Sequence, residues 1–242
     1  KMVAEATPWF VRADEMVRAA QRAASQVDDP HGRAPASLAA GFVHFFLGEW
    51  RSARTQLEEA ESLLRSRCRA VAWELANAEA WICNVLILSG ELREATRRVP
   101  AIMEEARARE DTVALMHLTY PACCAHIVGD DVEAAWRVTE LATKYAPRGF
   151  NAFHWGSFIS ACSVERYKGD PQAAWTRVQR VSPALDSSTL SRVALIRAFS
   201  AYERGLSAIA AAAAGHDQLA ALRAAEGYAR RLMGESVSFA PA

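Results

Sequence analysis

The chain has 242 residues, with 28 basic and 28 acidic side chains and therefore no formal net charge; 51% of it is apolar and 23% charged. That balance excludes a disordered chain, which needs low hydrophobicity and high net charge. It also argues against general nucleic-acid binding, which needs a basic face to displace counterions from phosphates. With 12 glycines and 9 prolines set among abundant Ala, Leu, Arg and Glu, the composition favours helices.

The first predicted element is a helix from Pro8 to Val27, whose apolar residues are Phe10, Val11, Met16, Val17 and Ala20. Five helix pairs follow. Their first helices are expected at 34–47, 71–88, 112–128, 152–167 and 190–214, and their second helices at 50–66, 92–109, 131–145, 171–180 and 218–233. Alternating strands and Asn-Gly turns are absent, so a sheet has no support. No run approaches the roughly 18 apolar residues of a membrane span, and no signal-peptide pattern opens the chain. Five cysteines, odd in number and scattered, read as reduced thiols of a cytoplasmic protein rather than a disulfide framework. Lys1 ahead of Met2 reads as a tag remnant or as an internal piece of a longer protein.

The pairs share one pattern. Gly48, Gly90, Gly129, Gly169 and Gly215 each end an apolar stretch. Five residues after them stand Ala53, Ala95, Ala134, Ala174 and Ala220. Seven residues before them stand the small residues Gly41, Cys83, Ala122, Cys162 and Ala208. Glycine ends a helix by adopting the left-handed conformation, and small residues let two helix backbones approach where they cross. A single pair cannot bury both of its faces, so successive pairs stack. The expected fold is all-α: a right-handed α-α superhelix of about five stacked pairs with a period of about 40 residues. We expect a single helical-repeat domain over 1–242. It comprises an N-terminal helix at 1–30, pairs one and two at 34–109, pairs three and four at 112–187, and a C-terminal pair and tail at 190–242.

The Gly–x4–Ala signature resembles the tetratricopeptide repeat, although the period here is longer than that family's roughly 34 residues. Four segments carry a second resemblance: Arg-Cys-Arg-Ala-Val-Ala-Trp-Glu at 67–74, Arg-Arg-Val-Pro at 97–100, Arg-Gly-Phe at 148–150 and Tyr-Lys-Gly-Asp at 167–170. Together they are similar to the C-terminal repeat region of large bacterial serine/threonine protein kinases, in which a kinase domain is followed by an ATPase module and then by repeats. That resemblance implies a regulatory segment of a multidomain signalling protein. The chain itself has no Gly-rich phosphate loop, no His-Arg-Asp loop and no Asp-Phe-Gly site, so it is not expected to be an enzyme.

Cys123, Cys124 and His126, with His117 upstream, gather soft metal ligands on one predicted helix. Zinc sites instead pair cysteines two to four residues apart and draw on two segments, so no metal and no cofactor are expected. Paired acids such as Glu58-Glu59 and Glu104-Glu105 read as solvated helix faces. The arginines at 65, 67, 69, 93, 97 and 98 read as partners of nearby acids, with a phosphate patch as the rival.

First helices line the concave side of such repeats. Counting back from the glycines selects Phe42, Phe45, Trp81 and Asn84, with Asn77 one turn earlier, then Tyr120, Cys123, Ser163 and Arg166. From these, the candidate groove residues are Asn77, Trp81, Asn84, Tyr120 and Arg166. The aromatics lean towards inter-helix packing, whereas the two amides, poorly suited to a core, lean towards the groove. The expected function is a non-catalytic interaction module. It would bind a protein or peptide partner, or upstream kinase and ATPase domains of the same chain, with no nucleic acid and no membrane. A small-molecule-sensing solenoid controlling an attached ATPase or kinase domain is the alternative, and a homodimer through an end pair stays open.

Overall fold

The computed structural model describes residues 8–27, 29–146 and 148–235, which hold twelve α-helices and no strand. Lys1, Met2 and the tail beyond Glu235 lie outside the described residues, as do the side chains of Phe10 and Val11. A leading helix, α1 (Pro8–Gln26), precedes α2 (Pro30–Leu47) and α3 (Trp50–Arg67). Next come α4 (Ala72–Leu88), α5 (Leu92–Ala108), α6 (Thr112–His117), α7 (Thr119–Val128) and α8 (Val132–Tyr145). The chain closes with α9 (Ala152–Tyr167), α10 (Pro171–Ser187), a 3-10 turn at Thr189–Arg192, α11 (Ala194–Ala213) and α12 (Gln218–Met233). The architecture is all-α helical repeat, as expected. No described helix is long and apolar enough to cross a membrane.

Short acceptor side chains start several of the helices. Asp29 accepts from the His31 amide ahead of α2, Asn151 from Phe153 ahead of α9, and Asp170 from Ala173 ahead of α10. Each offers an oxygen to one of the amides that a first turn leaves unpaired. Pro30 and Pro171 occupy first-turn positions, where proline costs no hydrogen bond. The expected third first helix, 112–128, is broken at Leu118 into α6 and α7. Pro121 explains the break, because it lacks the amide that would bond the carbonyl four residues earlier. Helix α10 runs to Ser187, beyond the expected end at 180, and accommodates Pro183 at an exposed position.

Gly48, Gly90, Gly169 and Gly215 are left-handed, with φ of 76°, 76°, 81° and 81°. In the third pair that conformation falls on Asp130 (φ 57°), one residue after Gly129. Aspartate tolerates it better than most side chains. The small residues seven positions before the glycines are all buried. Ala53, Ala95, Ala134 and Ala174 are buried as the pattern requires, but Ala220 is exposed and Ala221 is buried in its place. The turn before α12 contains a second left-handed residue, Asp217, which shifts the register by one.

Gly41 marks the tightest crossing. A Cβ there would lie 2.5 Å from Leu57 Cγ and 3.3 Å from the Leu57 backbone nitrogen. Gly156, in the middle of α9, would present its Cβ to open space. The same substitution therefore has opposite signs at the two sites. Gly41→Ala overpacks the α2–α3 crossing, for a net loss of about 1–2 kcal/mol after the helix-propensity gain. Gly156→Ala gains about 0.5–1 kcal/mol from propensity alone. Urea titration of both variants tests this, and a shift in the same direction for both would refute the crossing as the cause.

The chain divides into two compact units, Lys1–Leu118 and Thr119–Ala242. In the first, Leu57, Ile82, Leu86, Val99 and Met103 are fully buried. In the second, Phe158, Ile159, Cys162, Trp175, Val178 and Leu185 form the core with Ala208 and Ala211 of α11. Within each unit the repeat period is visible in the polar contacts. Arg54 pairs with Glu94, and Arg65 with Glu105, 40 residues on. Glu61 pairs with Arg98, Asp130 with Tyr167 and Arg166 with Glu203, each 37 residues on. Thirty-seven is one period of about 40 less about one helical turn, so equivalent helices of successive pairs lie side by side.

Candidate functional site

In the N-terminal unit the first-helix face is aromatic. The Trp81 ring centroid lies 4.5 Å from that of Phe45, 5.3 Å from Phe42 and 5.6 Å from Phe46, in tilted or edge-on geometry. Phe45 is buried, so its role is packing, while Phe42, Phe46 and Trp81 keep part of their surface in solvent. Among the described residues the Trp81 indole N–H has no acceptor. Asn84, half-buried and three residues further along α4, lies on the same side of the helix. Its amide donates to the Ala80 carbonyl at 2.8 Å, and its side-chain oxygen makes no bond among the described residues. Asn77 departs from the expectation. It is 5% exposed and donates to the Trp73 carbonyl at 2.8 Å, so its own helix satisfies the amide within the core. Back-bonding to a carbonyl four residues earlier lets a polar residue sit where helix propensity and burial disfavour it.

In the C-terminal unit the equivalent face is polar and internally paired. The Arg166 guanidinium lies 2.8 Å from Glu203 Oε2 and donates to the Ser207 hydroxyl at 2.9 Å. The Ser163 hydroxyl lies 3.5 Å from the same Glu203 oxygen. Burial holds the Glu203 carboxyl above its usual range, against the opposing pull of Arg166 and Ser163. Arg166 is thus committed within the unit rather than presented to a ligand. Tyr120 is half-buried beside Cys124, and burial raises its hydroxyl pKa strongly, keeping the phenol protonated.

The cysteines are held as thiols. Burial pushes Cys83, Cys124 and Cys162 up to about 12, and Cys123, pushed higher still, lies 3.5 Å from the Ser160 carbonyl. A protonated thiol is a poor nucleophile and a poor metal ligand at neutral pH.

The second helices α3 and α5, with Glu79 of α4, carry a charged network in which Arg65 and Arg98 pair with acids, as the sequence reading of those arginines expects. Arg65 contacts Glu61, Glu79 and Glu105, and Glu61 also pairs with Arg98. Glu79 is completely buried on α4, and one of its carboxyl oxygens has no partner. The signal that could have revealed this cluster is the recurrence of opposite charges 37 and 40 residues apart.

The solved structure of the apo form of RapI, a tetratricopeptide-like helical repeat protein, is similar in fold, with a TM-score of 0.68. The match covers 93% of this chain and 77% of that one, at 13% sequence identity. At that identity the likeness establishes the fold. No protein-family profile matches the sequence, and no curated protein matches it.

Proposed function

We propose that the chain is a non-catalytic interaction and regulatory module that holds a protein or peptide segment against the α2–α4 face of its N-terminal unit. One observation carries this reading: Trp81 and Asn84 stand on the same side of α4, each with unspent hydrogen-bonding capacity, beside partly exposed Phe42 and Phe46. An amide offers a donor and an acceptor together, which matches a peptide group, and a tryptophan supplies the apolar anchor typical of an interface hot spot. Helical repeats in general present such faces to partners.

The finer reading places the module in a bacterial serine/threonine kinase signalling protein, on the strength of the resemblance in four segments. Two of those segments have clear local roles. Tyr-Lys-Gly-Asp forms the turn between α9 and α10, with Gly169 left-handed and Asp170 capping the next helix. In Arg-Arg-Val-Pro, Arg98 supplies the pair to Glu61 and Val99 is buried. An antibody raised against the chain tests the parentage in the source cell. A band several times larger than 26.5 kDa supports it, whereas a band near 26.5 kDa refutes it.

The groove is tested by capture from the source cell with the wild-type chain as bait. A partner held by this face binds Trp81→Ala about 30-fold more weakly, the equivalent of about 2 kcal/mol for a hot-spot aromatic. Asn84→Ala, which removes no core side chain, weakens binding while leaving the melting temperature near wild type. Equal capture by both variants would place the partner elsewhere.

A further inference from the structure

Between the end of α10, the turn before α11, and α12 lies a cleft of about 300 Å³, built wholly within the C-terminal unit. Two buried side chains that line it have donors without acceptors. Arg204 is 3% exposed. Its Nη1 donates to Asp186 at 2.9 Å and its Nη2 reaches the Ser182 carbonyl only at 3.5 Å, while its buried Nε has no partner. Ser200 is 4% exposed and accepts from the Trp155 indole at 2.9 Å, which leaves its own hydroxyl proton unspent among the described residues. Buried donors are rarely left unpaired, so a cleft that concentrates them is complementary to a ligand that only accepts.

The charge count has the same sign. Three arginines line the cleft. Arg197 is closed in a bidentate pair with Glu235 at 2.7 Å, and Arg204 is engaged by Asp186. Arg231 is exposed, lies 5.8 Å from the Tyr228 ring and has no carboxylate partner among the described residues. One positive charge is therefore uncompensated, and it faces the same space as the buried donors. Of the other lining residues, Leu185, Ile196, Ala201 and the Tyr228 ring are apolar or aromatic, and Ser191 is polar.

We infer that this cleft binds a small organic oxyanion, with a phosphate or carboxylate head held by Arg204, Arg231 and Ser200 and a compact apolar body against Ile196 and Tyr228. Guanidinium groups bind both heads through paired N–H bonds, so the two share one recognition chemistry. The site is independent of the α2–α4 face and stands or falls without it.

Calorimetric titration of the whole chain at low salt with phenyl phosphate, benzoate and phenol decides the matter. The expected result is saturable binding of at least one of the two anions, with a Kd of about 1 mM or tighter, and none of phenol. Preference for phenyl phosphate assigns a phosphate head, and preference for benzoate assigns a carboxylate. Arg231→Ala, which removes an exposed side chain, weakens binding about tenfold. Arg204→Lys keeps the charge but loses the fork and weakens it by at least as much. Ser200→Ala provides a third reading should the Arg204 variant unfold. Neither anion saturating by about 10 mM, phenol binding as tightly as the anions, or Arg231→Ala binding like wild type would each overturn the assignment.

Discussion

An Arg166→Ala variant loses about 3–5 kcal/mol of stability, because it strands the Glu203 carboxylate in a site that nearly excludes water. The two side chains are 17% and 6% exposed, and the guanidinium touches Glu203, Ser207 and Ser163 at once. A buried pair of this kind can contribute little net stability, since desolvating two charges offsets most of their attraction, yet removing one partner leaves the whole desolvation cost of the other. The double variant Arg166→Met, Glu203→Gln therefore recovers most of what the single variant loses. Protonation also limits the damage: Glu203 already titrates above the usual carboxylate range, and without Arg166 it is displaced further. The loss is then smaller at pH 5 than at pH 8, as urea titration at the two values will show. A loss below about 1 kcal/mol would mean that Arg166 is only a surface ion pair, restoring it as a ligand-binding candidate.

The repeat glycines made most of the fold legible, because a left-handed stop and a close helix crossing each demand a particular residue type at a fixed offset. Gly41, Cys83, Ala122, Cys162 and Ala208 are buried where that offset placed them. The failures have local causes. A proline at position 121 splits one helix, while another at 183, on an exposed face, does not stop its own. Asp130 and Asp217 take left-handed conformations that the glycine pattern did not assign to them. The site was less legible. Burial follows helix-face position, but whether a polar side chain there is satisfied depends on a partner far along the chain. Asn77 and Asn84 have the same composition signal, yet one lies in the core and the other is half-exposed. Arg166 looked available because Glu203 stands 37 residues away. The same 37-residue interval joins Glu61 to Arg98 and Asp130 to Tyr167, so stacking the repeats in register would have exposed the pair.

Burial in the N-terminal unit predicts a pH dependence that originates at Glu79. Burial raises its carboxyl to about 7, against the pull of Arg65 and with the added push of Glu61 and Glu105. In the unfolded chain the group ionises near 4.3, so between about pH 4.3 and 7 the folded protein holds a proton that the unfolded chain has released. Stability from this group is therefore fully present below about pH 4.3 and is lost as pH rises through about 7, a total of about 4 kcal/mol for a shift of this size. Glu79→Gln removes the titration and leaves Arg65 its contacts with Glu61 and Glu105. Relative to wild type, the glutamine variant is close to neutral at pH 4 and gains stability progressively to pH 8. Taking the difference between the two proteins cancels the titrating groups that do not interact with Glu79, Glu203 among them. A difference that is flat across this window would show that Glu79 ionises normally, and one that falls with pH would show that Arg65 holds it charged in the folded state.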